Sequence, residues 1–526
     1  MKKAFRRIAA VAAAATLAAV AAPIDFSLTA KAATYGNLTY TITDGEITIT
    51  DCSETVTSVT VPSTINGYPV VAIGEYAFGD CTKLKTIVIE DGVESIAEHA
   101  FDTTLSLTSL TVPTSVTYIG VDALYNSGYI GYTSDNFIVL GDGILYTYKG
   151  TNNNIVIPDN VKHINSMSFY DKAVIDSVVI GESVTSIGDY AFANCIALAE
   201  VTINCISTTY IGTNIFDTCT ALERVNVAEG FTTFTQEMFY DCSMLSYVDF
   251  PSTLKTIEDY AFYNCDLREA ILPEGLTKVG MGAFFNNNNM HTINLPSTLT
   301  TLEKWAFRQC EYIKSVTIPE GITEIPERAF YGCYQLRELS LPSTLTSIAS
   351  HAFYDCVYLE TLVIPDTVTY IGNYAFYHNI LLKDVTLSAN LETISNHAFA
   401  KCYVLETITI PESVTSIGKY SFLSADDLVF EVYDGSYAQE WAETYSYSHN
   451  VISAGSDVIY GDANGDGIVN SVDGTIITRA ALGSLTLSDE VKACCDVNGD
   501  GVINSVDATI IVRYSLKVID KFPVEG

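Results

Sequence analysis

The chain has 526 residues, with 27 lysines and arginines against 62 aspartates and glutamates, a net charge of −35. That excess of negative charge argues against nucleic acid or an anionic membrane as a partner held by electrostatic attraction. With 48% hydrophobic and 17% charged residues the chain is of the ordered kind, and its length calls for several domains or for internal repetition.

The first predicted element is a secretory signal peptide over residues 1–32. Lys2, Lys3, Arg6 and Arg7 precede an alanine-dominated apolar run from Ile8 to Ala22, and Ala30-Lys31-Ala32 offers small residues for cleavage. The run is too short to span a membrane, and the residues around the arginines are not those of a twin-arginine signal. A secreted, extracellular chain without a membrane span is expected.

Residues 33–60 are expected to cap a repetitive stretch over 61–430. Its anchors are Ala-Phe pairs such as Ala77-Phe78, Ala191-Phe192, Ala283-Phe284, Ala352-Phe353 and Ala398-Phe399, most of them 23 residues apart. Leu124, Phe169, Phe216, Phe239 and Phe422 complete a set of fifteen, and five residues before each stands an apolar residue, from Ile73 to Ile417. After the anchors come alternating β-branched stretches such as Thr86-Ile87-Val88-Ile89, the pattern of a short strand, often closed by proline as at Pro319 or Pro411. One unit cannot bury its apolar columns alone, so the units must stack into an α/β solenoid with a parallel sheet along one face. The unit Ile187-Gly188, Ala191-Phe192, Cys195, Leu198, Val201, Ile203 resembles the BspA-like class of leucine-rich repeats. Between Leu124 and Phe169 the spacing doubles, and residues 125–160 are expected to hold a degenerate or inserted unit with a hairpin around Gly141-Asp142-Gly143. Residues 431–455 depart from the repeat and are expected to cap its far end with a helix from Tyr437 to Tyr445.

Nine cysteines (Cys81, Cys195, Cys219, Cys242, Cys265, Cys310, Cys333, Cys356 and Cys402) share the column three residues after the anchor, which elsewhere holds Thr104, Ser127, Asn287 or Asn379. A column that takes Cys, Thr, Ser and Asn is a small inward site able to bond turn backbone. Buried free thiols are expected, with metal binding or disulfides as the alternatives. His99, His351 and His397 share a column with Tyr76, Tyr190, Tyr260, Trp305, Tyr374 and Tyr420, which marks a packing position and not a catalytic base. No motif of a nucleophile elbow, zinc protease or phosphate loop is present, so no catalytic residue is assigned. Tyr240, Tyr263, Tyr331, Tyr354 and Tyr377 directly follow anchors and could stack on sugar rings or anchor a protein. Covering the outer face is the plainer alternative.

The segment 456–526 holds two near-copies of one pattern. Asp462, Asn464, Asp466, Ile468, Asn470 and Asp473 occupy loop positions 1, 3, 5, 7, 9 and 12, and Asp496, Asn498, Asp500, Val502, Asn504 and Asp507 repeat them, with Gly467 and Gly501 at position 6. Hard oxygen ligands at that spacing, with a backbone carbonyl at position 7, bind Ca²⁺, so two Ca²⁺ ions are expected. Each loop leads into a helix-like stretch, Val472 to Leu482 and Val506 to Leu516, and no entering helix is evident before either. Together with the repeated Ser-Val-Asp-x-Thr-Ile-Ile-x-Arg, this resembles a small all-α type I dockerin.

The resemblance implies a cohesin module of a scaffold protein as partner, in a cellulosome-type polysaccharide-degrading complex. It places the partner contacts on Ser471, Val472, Thr478 and Arg479, or on Ser505, Val506, Val512 and Arg513, in two orientations related by a half-turn. It also implies an aromatic clasp at the domain ends, Tyr460 with Phe522 or Pro523. The reading is a non-catalytic binding protein whose repeats recognise protein, cell-surface or polysaccharide ligands. The alternatives are a dockerin-borne enzyme acting on carbohydrate or peptide through carboxylates of 125–160, and a passive spacer.

Overall fold

The computed structural model describes residues 32–206, 208–452, 460–465, 467–487, 489–519 and 521–523; the expected signal segment, apart from Ala32, lies outside them. The chain forms two compact units. One runs to Phe231 and includes Asp241–Ser243; the other comprises Thr232–Tyr240 and everything from Met244 onward.

Each turn of the solenoid contributes to two parallel ladders. The alternating stretch after the anchor forms the first, as in Ser58↔Thr86 and Thr86↔Ser109, or Ser177↔Glu200 and Glu200↔Arg224 in the first unit. The second is made of two-residue strands ending on the apolar column before the anchor, as in Ser347↔Tyr370, Tyr370↔Thr393 and Thr393↔Ser416 of the second unit. Two residues are too few to carry a period, so in the sequence the second ladder shows only as its apolar column. Between the ladders the chain is mostly turns, and helices in the repeats are few and short: α1 (Gly128–Tyr132) and the capping helix α2 (Tyr437–Thr444).

The anchors form an aromatic ladder at the centre. Phe262, Phe284, Phe307 and Phe330 are fully buried and stack at centroid distances of 5.4, 5.3 and 5.5 Å. This spacing follows from the strand spacing of about 4.8 Å, and truncating one ring would cost about 3–5 kcal/mol. Each Ala-Phe pair is flanked by residues held in the left-handed region, for example His351 and Asp355 at φ 59° around Ala352-Phe353.

The first unit opens with antiparallel strands Ala33–Tyr35, Leu38–Thr43 and Glu46–Cys52, the last of which pairs in parallel with Tyr68–Ile73. An exposed sheet edge is thereby covered. The doubled spacing after Leu124 holds the expected hairpin, Phe137–Leu140 against Ile144–Tyr148. The fully buried Tyr148 stands in for a missing anchor there, 5.4 Å from Phe169.

At the far end the strand Val429–Tyr433 extends the ladder from Thr407–Ile410, and His449–Ile452 adds one more. Helix α2 is capped by Ser436 and lays Trp441 against Phe430 at 5.6 Å.

Candidate calcium loops and docking surface

The C-terminal segment has its own small core of Ile476, Ile477, Cys494, Cys495, Ile511 and Phe522. Helix α3 (Ser471–Ala481) follows the first loop, α4 (Asp489–Cys495) enters the second, and α5 (Ser505–Ser515) leaves it. Helix α4 corrects the expectation that no entering helix precedes either loop. Seven residues make too few turns to show a helical period in the sequence. Gly474 sits where α3 meets α5: a Cβ there would come within 2.8 Å of Val512.

Both loops are wired alike. In the first, the Asp462 carboxylate accepts from Gly465 N and Gly467 N at 2.7 Å each. Asp473, fully buried, accepts from Ala463 N (2.8 Å), Asn464 N (3.2 Å) and Asn470 N (2.8 Å). In the second, Asp496 accepts from Gly499 N and Gly501 N at 2.8 Å each and from Asp500 N at 3.1 Å. The equally buried Asp507 accepts from Asn498 N (3.4 Å) and Asn504 N (3.0 Å). Asn498 and Asp500 join this loop through Asn498 Oδ1, which accepts from Asp500 N at 2.8 Å, and Asp500 Oδ1, which accepts from Val502 N at 2.8 Å.

Position 9 has a second duty. Asn470 and Asn504 cap α3 and α5, accepting from Val472 N and Val506 N at 2.7 Å each, while their amides donate toward Ile468 O (3.3 Å) and Val502 O (3.0 Å). Gly467 and Gly501 stand at φ 81° and 83° with nothing near the place of a Cβ, so it is backbone conformation and not space that calls for glycine. Asp466 lies outside the described residues.

The buried carboxylates sit in wreaths of backbone N–H groups that hold them in fixed orientations. The remaining donors, the side chains of Asn464, Asn498 and Asp500 and the carbonyls of Ile468 and Val502, are also oxygens. An all-oxygen set with preset geometry suits Ca²⁺.

All thirteen cysteines of the chain are free and buried, two of them, Cys494 and Cys495, in the dockerin. In the repeats the cysteine column bonds the turn above: Cys310 Sγ donates to Phe284 O at 3.1 Å, Cys242 to Phe216 O at 3.1 Å, and Asn287 Nδ2 replaces the thiol at Phe262 O, 2.8 Å. Burial pushes the Cys402 thiol up to about 12, which removes the thiolate that nucleophilic or metal chemistry would need. The tyrosines after the anchors form half-buried stacks, Tyr331–Tyr354 at 4.6 Å and Tyr354–Tyr377 at 4.7 Å. Lys401 lies 5.1 Å over Tyr377.

Residues 49–134, 144–268, 232–360 and 306–429 match the BspA type leucine rich repeat region, in six copies. The chain belongs to this leucine-rich-repeat family. Residues 460–516 match the dockerin type I domain. Among curated proteins, endo-1,4-beta-xylanase Y of Acetivibrio thermocellus is 63% identical over 67 residues, in the dockerin region. Those residues are 13% of this chain, which spans only 6% of that relative's length.

Among solved structures, a leucine-rich repeat protein from Bacteroides ovatus is similar, at 22% identity over 80% of this chain and 99% of that one, with a TM-score of 0.43. A leucine rich cell surface protein from Faecalibacterium prausnitzii is 20% identical over 81% of this chain and 95% of its own, with a TM-score of 0.32.

A type I dockerin is a calcium-binding module that pairs with a cohesin, and neither it nor the BspA-type solenoid is a catalytic module type. No helix among the described residues is long and apolar enough to cross a membrane. Within the dockerin the expected partner residues fall on two equivalent helices. Ser471, Ser505, Val506 and Arg513 are exposed, whereas Val472 and Arg479 are half-buried. Thr478 is exposed and its hydroxyl donates to Gly474 O at 2.7 Å. Val512 is half-buried beside Gly474, and so packs the two helices together.

At the domain ends a second ring joins the clasp. Phe522 stacks on Tyr514 at 4.4 Å and closes over Gly461, while Tyr460 packs, partly buried, on the same core. Gly461, at φ 89°, was the available sequence signal.

Proposed function

We propose that this chain is a secreted, non-catalytic binding protein that a calcium-dependent dockerin–cohesin contact attaches to the scaffold of a polysaccharide-degrading complex. Two Ca²⁺ ions are held, one by Asp462, Asn464, Asp466, Ile468, Asn470 and Asp473, the other by Asp496, Asn498, Asp500, Val502, Asn504 and Asp507. Calcium fixes the loops, the loops fix α3 and α5, and the cohesin is met by Ser471, Val472 and Arg479 or by their second-copy equivalents Ser505, Val506 and Arg513. The domain order is a signal peptide over 1–32, caps over 33–60 and 431–455 around the repeats of 61–430, and the dockerin over 456–526.

The observation that carries this reading is the duplicated hydrogen-bond wiring of the two loops around buried Asp473 and Asp507. The 63% identity to a xylanase in this region supports delivery to a complex that degrades polysaccharide. The test is capture of the full chain on a panel of immobilised type I cohesins. Capture of the wild type and its loss in the variant carrying both Asp462→Ala and Asp496→Ala are expected; capture unchanged in that variant, or by chelation, sinks the reading.

The repeats recognise a ligand on a protein, cell surface or polysaccharide. The support is the tyrosine stack Tyr331–Tyr354–Tyr377 along the turns, because flat rings held in a row suit sugar rings or an extended protein partner. Incubating the chain with plant polysaccharides separates recognition, which gives binding without released product, from turnover.

A further inference from the structure

The two halves of the dockerin are near-copies in sequence, yet their surroundings differ. Ile476 on α3 is 7% exposed while its counterpart Ile510 on α5 is half-buried; Val472 is half-buried while Val506 is 51% exposed; Arg479 is half-buried while Arg513 is exposed. Val472 and Ile510 pack on the dockerin's own core, whereas Ile476 and Arg479 also face the repeats of the same compact unit. A groove between dockerin and solenoid is lined by Val363, Pro365 and Thr386 on one side and by Ile476, Arg479 and Leu487 on the other. The Arg479 guanidinium reaches Leu341 O at 3.5 Å, and the Tyr433 hydroxyl donates to Gly465 O, inside the first calcium loop, at 3.2 Å.

We infer that the solenoid is an internal docking surface for α3 that masks one of the two equivalent cohesin-binding faces, so that a cohesin engages this chain through α5, in one orientation. The inference rests on the dockerin reading proposed above. The groove against the solenoid takes Ile476 and Arg479, an apolar and a charged side chain of the first face, while Val472 packs on the dockerin's own core and Ser471 is exposed; on the second face Ser505, Val506 and Arg513 are all exposed. Because Tyr433 contacts the first loop's backbone, the mask and the first calcium site share one piece of structure. Loss of calcium from that loop should loosen both.

The test uses the full chain and a type I cohesin that captures it. Arg513→Glu should weaken capture at least tenfold, and Arg479→Glu less than threefold. Thr386→Arg, at a half-buried outward position of the solenoid strand Asp384–Thr386, sets a second cation against the groove that holds Arg479. In that background the loss caused by Arg513→Glu should shrink to less than threefold, because the first face becomes usable.

Equal losses from Arg479→Glu and Arg513→Glu, or no rescue by Thr386→Arg, overturn the inference while leaving docking intact. Capture indifferent to chelation overturns docking itself. Hydrogen exchange gives a reading without any partner: α3 amides should exchange more slowly than α5 amides in the wild type and alike in Thr386→Arg. Equal rates in the wild type contradict the mask.

Discussion

His351, Trp305 and Tyr374 are held at φ 59°, 65° and 58°, where an L-residue costs about 1–2 kcal/mol. The rings recover part of this by stacking, His351 on Tyr374 at 4.9 Å and Tyr374 on His397 at 4.5 Å. In the sequence that column read as aromatic packing, which it is. Its backbone conformation was signalled by Gly282, at φ 59° in the same column, and by Asp122 and Asn214, at φ 58° and 55°.

Burial lowers the His351 and His397 pKa below 6.5, with Arg328 adding to the effect at His351 and Glu327 opposing it. The unfolded chain therefore binds these protons more readily than the folded one. Their contribution is fully present above pH 6.5 and is lost as pH falls through the lower folded values. Replacing both with Phe keeps the stack and removes the titration. The drop in melting temperature from pH 7 to pH 5 should be smaller in that variant than in the wild type, and an equal drop would rule the histidines out.

Among the elements, the loop–helix pairs were legible because their chemistry is periodic and duplicated. Asp462 to Asp473 and Asp496 to Asp507 carry oxygen residues at fixed spacing, and the capping asparagines Asn470 and Asn504 mark the helix starts. Helix α4, the second ladder and the Tyr514–Phe522 stack were not, since each depends on contacts between residues too few or too distant to leave a local pattern.

The glycine of loop position 6 makes the local claim testable. At φ 83° and with open space around it, Gly501→Ala should cost about 1–2 kcal/mol through backbone strain alone, and it should weaken calcium binding in that loop. Gly131→Ala, in equally open space inside helix α1 and without a positive φ, should unfold at the wild-type temperature or slightly above it. Parallel melts of the two variants with and without calcium check the contrast; equal behaviour would contradict it.

At the scale of the whole molecule the chain joins two solutions to one problem, how to order backbone that cannot form a globular core by itself. The repeats do it by stacking, most turns burying a Phe between two others and a thiol, or an Asn, against a carbonyl of the preceding turn. The dockerin, whose core is a handful of side chains, does it with charge: buried Asp473 and Asp507 gather backbone N–H groups around them, and in the proposed reading a cation in each loop offsets the rest of the cost of burying them. The repeat was legible because several columns recur together, and the insertion was placed by the doubled spacing before Phe169. How the dockerin sits on the repeats left no trace in the sequence, because Ile476 and Ile510 stand in equivalent contexts and only tertiary packing distinguishes them.

The account stands on the two loops taking calcium independently. Native mass spectrometry of the chain under calcium titration measures this directly. Two ions should bind the wild type, one each should bind Asp462→Ala and Asp496→Ala, and none the double variant; a wild type that takes up no calcium, or a double variant that still binds two ions, would contradict it.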